Sequence, residues 1–392
     1  AQAPGRVSCW GGEGWPYLTA APAGHDFVQV SASHEASLAL RKNGTIVAWG
    51  NNIYNQLNCP AGNDFAAVAA GITFGLALRT NGTLVSWGVA PAGMTGGSNF
   101  VAIAARTHGV ALRQDGRVFT WGWQQMPMPT GAQYRAISAG YDFSAAVRTD
   151  GSLEAWGDPG WLSYPEVTNC PPGTNYLAVA AGYHHVVALR NDGSLVAWGD
   201  AEYGKTQCPP GKEYMAVSAN HHTSLALRRD GTIVCWGTNI CGELDCPPDA
   251  NFVQISAGFA HGAGIRLMPF VKITNLPVTV PASVASWVIA GTNAPAGDAT
   301  NSVAGTMCWR HVGMGAWGTF PASNAWRVSV PLWTGSNRIA VYGTNVFGWE
   351  GNDTVQIERD IITTSNVLAT VPYDGFVTNG LAIPFYAYTA LP

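Results

Sequence analysis

The residues best suited to chemistry in this chain are its nine histidines and eight cysteines. Seven of the nine histidines, His34, His108, His184, His185, His221, His222 and His261, follow a short apolar-small segment such as Val30-Ser31-Ala32 or Val179-Ala180-Ala181. Imidazoles gathered on one face could hold a metal ion. The stronger expectation is structural, because buried polar groups find hydrogen-bond partners and rings on separate repeats are too far apart to complete a four-ligand site. The adjacent pairs His184-His185 and His221-His222 are the subset to follow. No Cys-x-x-Cys pair accompanies them, so no metal site is expected.

Four cysteines, Cys59, Cys170, Cys208 and Cys246, share one phase and each precedes proline. Equivalent positions on neighbouring repeats lie too far apart for the Cα separation of a disulfide, roughly 5.5 Å. A local bridge from Cys241 to Cys246 is feasible, and Cys9 and Cys235 read as buried thiols. Hydrolase signatures are absent: there is no Gly-x-Ser-x-Gly, no His-Glu-x-x-His and no phosphate-binding glycine loop. No catalytic residue and no cofactor is therefore expected. The aromatic residues Trp15, Tyr17, Tyr54, Trp123, Trp161, Tyr164 and Tyr203 share the segment after a Trp-Gly pair. Exposed on one face they would make a protein-binding surface; folded over their own proline-rich loops they would be local lids. Both readings stand.

The elements that must position these groups come from a repeat. Within residues 1–267 Trp-Gly occurs at Trp10, Trp49, Trp87, Trp121, Trp156, Trp198 and Trp236, spaced 34 to 42 residues apart. Each of the last six ends a unit with an apolar-small segment, a stretch such as Leu38-Ala39-Leu40-Arg41, and Asn-Gly or Asp-Gly. Those dipeptides, Asn43-Gly44 to Asp230-Gly231, predict two-residue type I′ hairpins with positive φ at both positions. About 40 residues per four-stranded antiparallel unit predicts a β-propeller. A seventh unit, Val253 to Arg266, lacks its last strand, and Gly5 to Gly11 at the other end of the chain can supply it. The expected fold is all-β: a seven-bladed propeller over residues 1–267, closed by the N-terminal strand, which satisfies two open sheet edges.

The repeat resembles the regulator of chromosome condensation family, whose units read as a glycine-bearing turn, a His-Ser-Leu-Ala-Leu strand, Asp-Gly and Trp-Gly. Residues 5–267 carry the resemblance, and their short units are similar to those of bacterial members such as a secreted β-lactamase inhibitory protein. The resemblance implies a protein-binding platform. Composition changes at Met268-Pro269, and residues 268–360 hold about seven short alternating segments, among them Trp326 to Val330 and Arg338 to Tyr342. That pattern predicts an immunoglobulin-like sandwich and looks like the immunoglobulin-like modules of bacterial surface proteins. Residues 361–392 form a third, apolar β-prone segment with one acid and no Lys or Arg. Its Val367, Leu368, Val371, Leu381, Ile383, Phe385 and Tyr386 are candidates for strand addition to another copy, or for pairing within the chain's own sandwich.

Composition sets the remaining limits. Only 11% of residues are charged, net charge is −4, and the basic residues form no run, which excludes nucleic acid as a partner. No nucleotide-binding loop and no membrane-spanning segment are present. Glycine and proline, 47 and 24 residues, interrupt the chain too often for long helices. The first residues, Ala1-Gln2-Ala3-Pro4, suit an exported chain whose signal peptide has been cleaved, and an even cysteine count fits an oxidising compartment. The expected function is a non-catalytic extracellular structural or interaction protein, assembling with copies of itself into a fibre or surface layer through its C-terminal module and tail. One alternative is a secreted protein-binding or enzyme-inhibiting propeller. A second is a polysaccharide-active enzyme, against which the scarcity of acids and bases weighs.

Overall fold

A computed structural model of the chain describes residues 5–359 apart from 95, 123–128, 130, 132, 158–163, 249–250, 268–271, 275–277, 281–282, 293–304, 324 and 345–349. The candidate residues Trp123, Trp161, Val367, Leu368, Val371, Leu381, Ile383, Phe385 and Tyr386 lie outside the described residues. The chain divides into two compact units, Ala1–Met268 and Pro269–Pro392.

The first unit contains seven three-stranded antiparallel sheets among its described residues. Their inner strands are Phe27–Ala32, Phe65–Ala70, Phe100–Ala105, Tyr134–Ala139, Tyr176–Ala181, Tyr214–Ala219 and Phe252–Ala257, which number sheets 1 to 7. The middle strands are Ala36–Arg41, Phe74–Arg79, Gly109–Arg113, Phe143–Arg148, His185–Arg190, Thr223–Arg228 and His261–Arg266. Outer strands such as Ile46–Gly50 end in Trp-Gly, and in sheet 7 the outer strand is Arg6–Gly11, with Trp10 opposite Gly262. A Cβ at Gly262 would lie 2.1 Å from the Trp10 ring, so only glycine admits the indole there.

Two expectations are corrected. Among the described residues the sheets have three strands rather than four; where the segment after the outer strand is described it carries proline, as at Cys59-Pro60, Cys170-Pro171-Pro172 or Cys208-Pro209-Pro210, and proline has no N–H for a ladder. The hairpins are not of type I′. Gly44 N donates to Arg41 O at 2.9 Å, Arg41 N donates to Thr45 O at 2.9 Å, and Asn43 Oδ1 accepts from Thr45 N at 3.0 Å. Gly44 has φ +81° while Asn43 keeps a negative φ. This is a three-residue loop, a type I turn closed by a left-handed glycine.

Residue type fixes how neighbouring sheets pack. The Arg ending a middle strand lies over the aromatic ring that starts the inner strand, as Arg41 over Phe27 at 4.5 Å, Arg79 over Phe65 at 4.8 Å and Arg266 over Phe252 at 5.9 Å. The Trp-Gly indoles of Trp49, Trp87, Trp198 and Trp236 donate to the carbonyls of Leu18, Gln56, Val167 and Lys205, each 31 residues earlier. Trp10 makes the same bond to Glu243 O at 3.2 Å. Apolar residues form seven buried clusters, each spanning two sheets: 1–2, 2–3, 3–4, 4–5, 5–6, 6–7 and 7–1.

One disulfide differs from expectation. Cys246 pairs with Cys235, not with Cys241, across a Cα separation of 6.4 Å, and Cys241 is free. Cys235 lies on the outer strand Ile233–Gly237, and the loop leaving that strand turns back to bring Cys246 beside it. Five residues of local sequence hid this.

Among its described residues the second unit has two sheets. One orders its strands as Lys272–Ile273, Ser286–Thr292, Ala325–Pro331; the other as Val278–Val280, Glu350–Arg359, Gly335–Thr344, Thr306–His311, Trp317–Pro321. Val278–Val280 runs parallel to Glu350–Arg359 and every other pair is antiparallel. Alternating inward residues of both sheets, including Ile289, Trp309, Trp326, Val330, Val341 and Ile357, share one buried cluster. Asn337 is fully buried within it, its Oδ1 accepting from Trp333 N and its Nδ2 donating to Trp333 O and Gly335 O.

Candidate binding face

Every inner strand of the first unit turns into its middle strand through a tight loop. Ser33 N donates to Ala36 O at 3.0 Å, Gly182 N to His185 O at 2.8 Å and Gly258 N to His261 O at 2.7 Å. Glycine is required at Gly182 and Gly258, where a Cβ would meet the His185 and His261 rings at 2.4 and 2.3 Å. The loop pushes its next residue outward, and these residues are His34, Ile72, Thr107, Tyr141, Tyr183, His221 and Phe259. Five of them form an unbroken crescent: Tyr141 to Tyr183 at 4.0 Å, Tyr183 to His221 at 4.6 Å, His221 to Phe259 at 4.5 Å and Phe259 to His34 at 4.3 Å between ring centroids.

Aromatics from the segments after Trp-Gly widen this crescent. Tyr164 lies on His184 at 4.3 Å, Tyr203 beside His222 at 4.9 Å and Trp15 near Phe259 at 6.2 Å. Tyr203 is 59% exposed, and Tyr17 and Tyr54 are exposed as well. Of the expected face residues, then, Trp15, Tyr164 and Tyr203 join one patch. Tyr17 and Tyr54 make no ring contact to it among the described residues.

Beneath the crescent the chemistry is structural. His108 Nε2 bonds Ser144 Oγ, His185 Nε2 bonds Ser224 Oγ and His261 Nε2 bonds Ser37 Oγ, all at 2.8 Å and each to the next sheet. Burial, with Arg106 adding to it, pulls His108 down to about 4; burial and Lys205 pull His185 down to about 3. Burial and the neighbouring His222 likewise hold His221 at about 3. His221 and His222 meet edge to face, their ring centroids 3.8 Å apart and their planes 65° apart, a contact that uncharged imidazoles allow. Lys205, with a fully buried side chain, is held by Asp200, and its Nζ lies 3.5 Å from His222 Nδ1. The pairs His184-His185 and His221-His222 thus divide their work: one ring of the first is a core hydrogen-bonder, and the other three belong to the patch. Among the described residues no group of three His, Cys, Asp or Glu side chains could hold a metal ion.

Residues 27–56, 177–205 and 216–243, which fall on sheets 1, 5 and 6, match the family model for the regulator of chromosome condensation (RCC1) repeat. The chain carries RCC1 repeats. Its fold is similar to the RCC1-type β-propeller of Prp20p from Saccharomyces cerevisiae, a structure described with binding to Gsp1p and histones, at TM-score 0.56 and 17% identity over 68% of this chain and 93% of that one. It is similar, too, to yeast RCC1 (Prp20) bound by Kap60, at 0.54 and 17% over 67% and 89%. The ectodomain of the Physcomitrella patens receptor kinase CR4 matches at 0.54 and 20% over 64% and 75%. A search of curated protein sequences finds no match. Among the described residues no helix is long and apolar enough to cross a membrane.

The RCC1-repeat register also shows what a reading by histidines alone passes over. Tyr141, Tyr183 and Phe259 occupy the loop position that His34 and His221 occupy, so the repeat itself marks them. Arg106 and the Asp200–Lys205 pair carry no such signal, because each appears in one repeat only.

Proposed function

We propose that the chain is an exported, non-catalytic protein whose first unit binds another protein through the aromatic and histidine crescent. The observation that carries this reading is the continuity of the patch from Tyr141 to His34, with exposed Tyr203 at its margin. Aromatic rings that bury little against solvent are favoured as interface anchors. The likeness to propellers whose structures are described with protein partners agrees with it. The non-catalytic reading is supported by the occupation of the polar groups: Asp200 holds Lys205, and His108, His185 and His261 hold serines. The Cys235–Cys246 pairing supports an oxidising location outside the cytoplasm.

The architecture proposed for this function is a seven-bladed ring closed by residues 6–11. Supporting it, sheet 7 is bonded to sheet 1 as the other sheets are to their successors: Ala32 N to Ser256 Oγ at 2.9 Å repeats Ala70 N to Ser31 Oγ and Ala257 N to Ser218 Oγ. The second unit is proposed to be immunoglobulin-like. Its strands, taken in chain order, fall into sheets 1-3-6 and 2-8-7-4-5, with a buried Trp309 on the fourth strand, as in that fold. Self-assembly through residues 361–392 is a second proposal. A chain truncated at 360 that stays folded and loses assembly supports it, and one that assembles unchanged ends it.

The test of the binding face is affinity capture from the source organism's envelope and surroundings. Wild type is compared with Tyr164→Ala/Tyr203→Ala and with Asn81→Ala at a hairpin loop. A protein retained by wild type and by the hairpin variant, and lost by the double variant, supports the face. Retention by all three places binding elsewhere.

A further inference from the structure

Arg106 departs from the pattern at its place in the repeat. The residue after the inner strand is Ser33, Gly71, Gly140, Gly182, Asn220 or Gly258 in the other six sheets, and Arg106 in sheet 3. The exchange sets a guanidinium against a cavity of about 220 Å³ lined by the inner strands of all seven sheets. Arg106 is 5% exposed and its Nε has no hydrogen-bond partner. The lining contains no Asp or Glu. Burial pulls Arg106 down to about 10, against the opposing effect of Tyr183 and Tyr141, and a guanidinium remains protonated at neutral pH. Its Cζ lies 5.9 Å from the centre of the Tyr183 ring, at the outer limit of a useful cation–π contact. Lys205 shows the contrast: also buried, it has a carboxylate to itself.

The serines around the cavity complete the argument. Ser31, Ser138, Ser218 and Ser256 line it, and each hydroxyl oxygen accepts a backbone N–H of the next sheet at 2.9 Å. Their oxygens are thereby engaged, and each hydroxyl proton is left to donate. A buried cation facing hydroxyl donors, with no carboxylate in the wall, is complementary to negative charge.

We propose that this cavity is a binding site for a small oxyanion, held by the Arg106 guanidinium and by serine hydroxyls. A planar guanidinium fork matches two oxygens of a sulfate, phosphate or carboxylate. At roughly 10–15 Å³ of cavity space per water, the cavity holds a small ion together with several waters. The site is independent of the protein-binding reading, since it requires no partner on the crescent.

Calorimetric titration of the full chain with sodium sulfate and with sodium acetate, at constant ionic strength, tests it. Wild type should bind at least one of the two saturably. Arg106→Ser, which installs the residue sheet 1 carries at this place, should weaken that binding about tenfold or more through loss of the charge-assisted pair. In buffer lacking oxyanions the same substitution should raise the melting temperature, because it removes an uncompensated buried charge; saturating sulfate should reverse the order. Arg106→Gln, of similar length without the charge, should behave like Arg106→Ser and serves if that variant fails to fold. No saturable response in wild type, or equal responses in wild type and the folded variant, overturns the site.

Discussion

The two units bury apolar surface in opposite ways. The first divides its core into seven small clusters, each shared by two sheets and each built from the same kinds of residue. The second gathers thirteen buried residues from two sheets into one cluster, in which no position repeats another. Repetition separates stability from function. Because inter-sheet contacts recur, a loop residue such as Tyr183 or Arg106 can differ from its equivalents while the strands that position it remain the same. In the second unit a single side chain, Asn337, holds together several backbone groups and has no counterpart.

The comparison is tested most severely in sheet 7, where the first and last segments of the first unit pair. Deleting residues 1–11 removes the outer strand of sheet 7 and exposes the middle strand His261–Arg266 along its whole register. It also removes Val7 and Trp10 from the clusters shared by sheets 7–1 and 6–7. Unpaired backbone together with the lost apolar burial should abolish soluble folded protein. A truncated chain with an unchanged melting temperature would show that the first unit does not rely on this strand.

Asn337→Leu should have the next largest effect, confined to the second unit. It leaves Trp333 N, Trp333 O and Gly335 O, together with His311 Nε2 at 3.0 Å, without their partner. The bond to His311 is buried and the other three are part-buried, so at about 1 kcal/mol for a buried group left unsatisfied and less for the others the loss is on the order of 2–4 kcal/mol. Urea denaturation followed by tryptophan fluorescence measures it, and a loss below about 1 kcal/mol would contradict the hub.

Acid should act through the repeated imidazoles of the first unit. Burial holds His108 and His261 at about 4 and His185 at about 3, against 6.5 as the ordinary value. As pH falls below 6.5 the unfolded chain takes up protons that the folded chain refuses, so stability drops; it levels off only once the folded rings titrate as well. A shift from 6.5 to about 4 corresponds to on the order of 3 kcal/mol for each ring. Denaturation at pH 7 and at pH 4.5 should therefore differ by several kcal/mol. His261→Phe, the residue type that Phe74 and Phe143 supply at this place, should remove one ring's share. A stability independent of pH over that interval would show that these rings are not held neutral.

How much of this was legible in the sequence follows the same division. Trp-Gly spacing, the Leu-Ala-Leu-Arg strands and the small-residue strands marked the sheets of the first unit, because repetition lets seven weak signals support one another. The turn type was misread, since Asn-Gly fits both a two-residue loop and the three-residue loop that Arg41, Gly44 and Thr45 form. The fourth strand was overcounted, because prolines after Cys59, Cys170 and Cys208 do not announce in sequence which ladder they leave. The crescent was half legible: its histidines drew attention, and Tyr141, Tyr183 and Phe259 in the same loop did not. Arg106 was not legible at all, because a single departure within a repeat resembles noise until the cavity beside it is visible.

The smallest expected effect separates the sequence expectation for the cysteines from the fold. Cys246 stands five residues from Cys241 and eleven from Cys235, and the structure pairs it with Cys235. The shorter span lies within one loop; the longer one ties that loop to the outer strand of sheet 6, so it fixes the path of the chain between sheets 6 and 7. Closing a loop of 11 residues should contribute about 2–3 kcal/mol, chiefly by restricting the unfolded chain. Under oxidising conditions Cys246→Ser and Cys235→Ser should each lose this amount, and Cys241→Ser should lose almost nothing. With reductant present all three should converge on the reduced wild type. Peptide mapping without reduction should recover Cys235 and Cys246 in one cross-linked species. A cross-linked species holding Cys241 and Cys246 would restore the local bridge and release the loop from sheet 6.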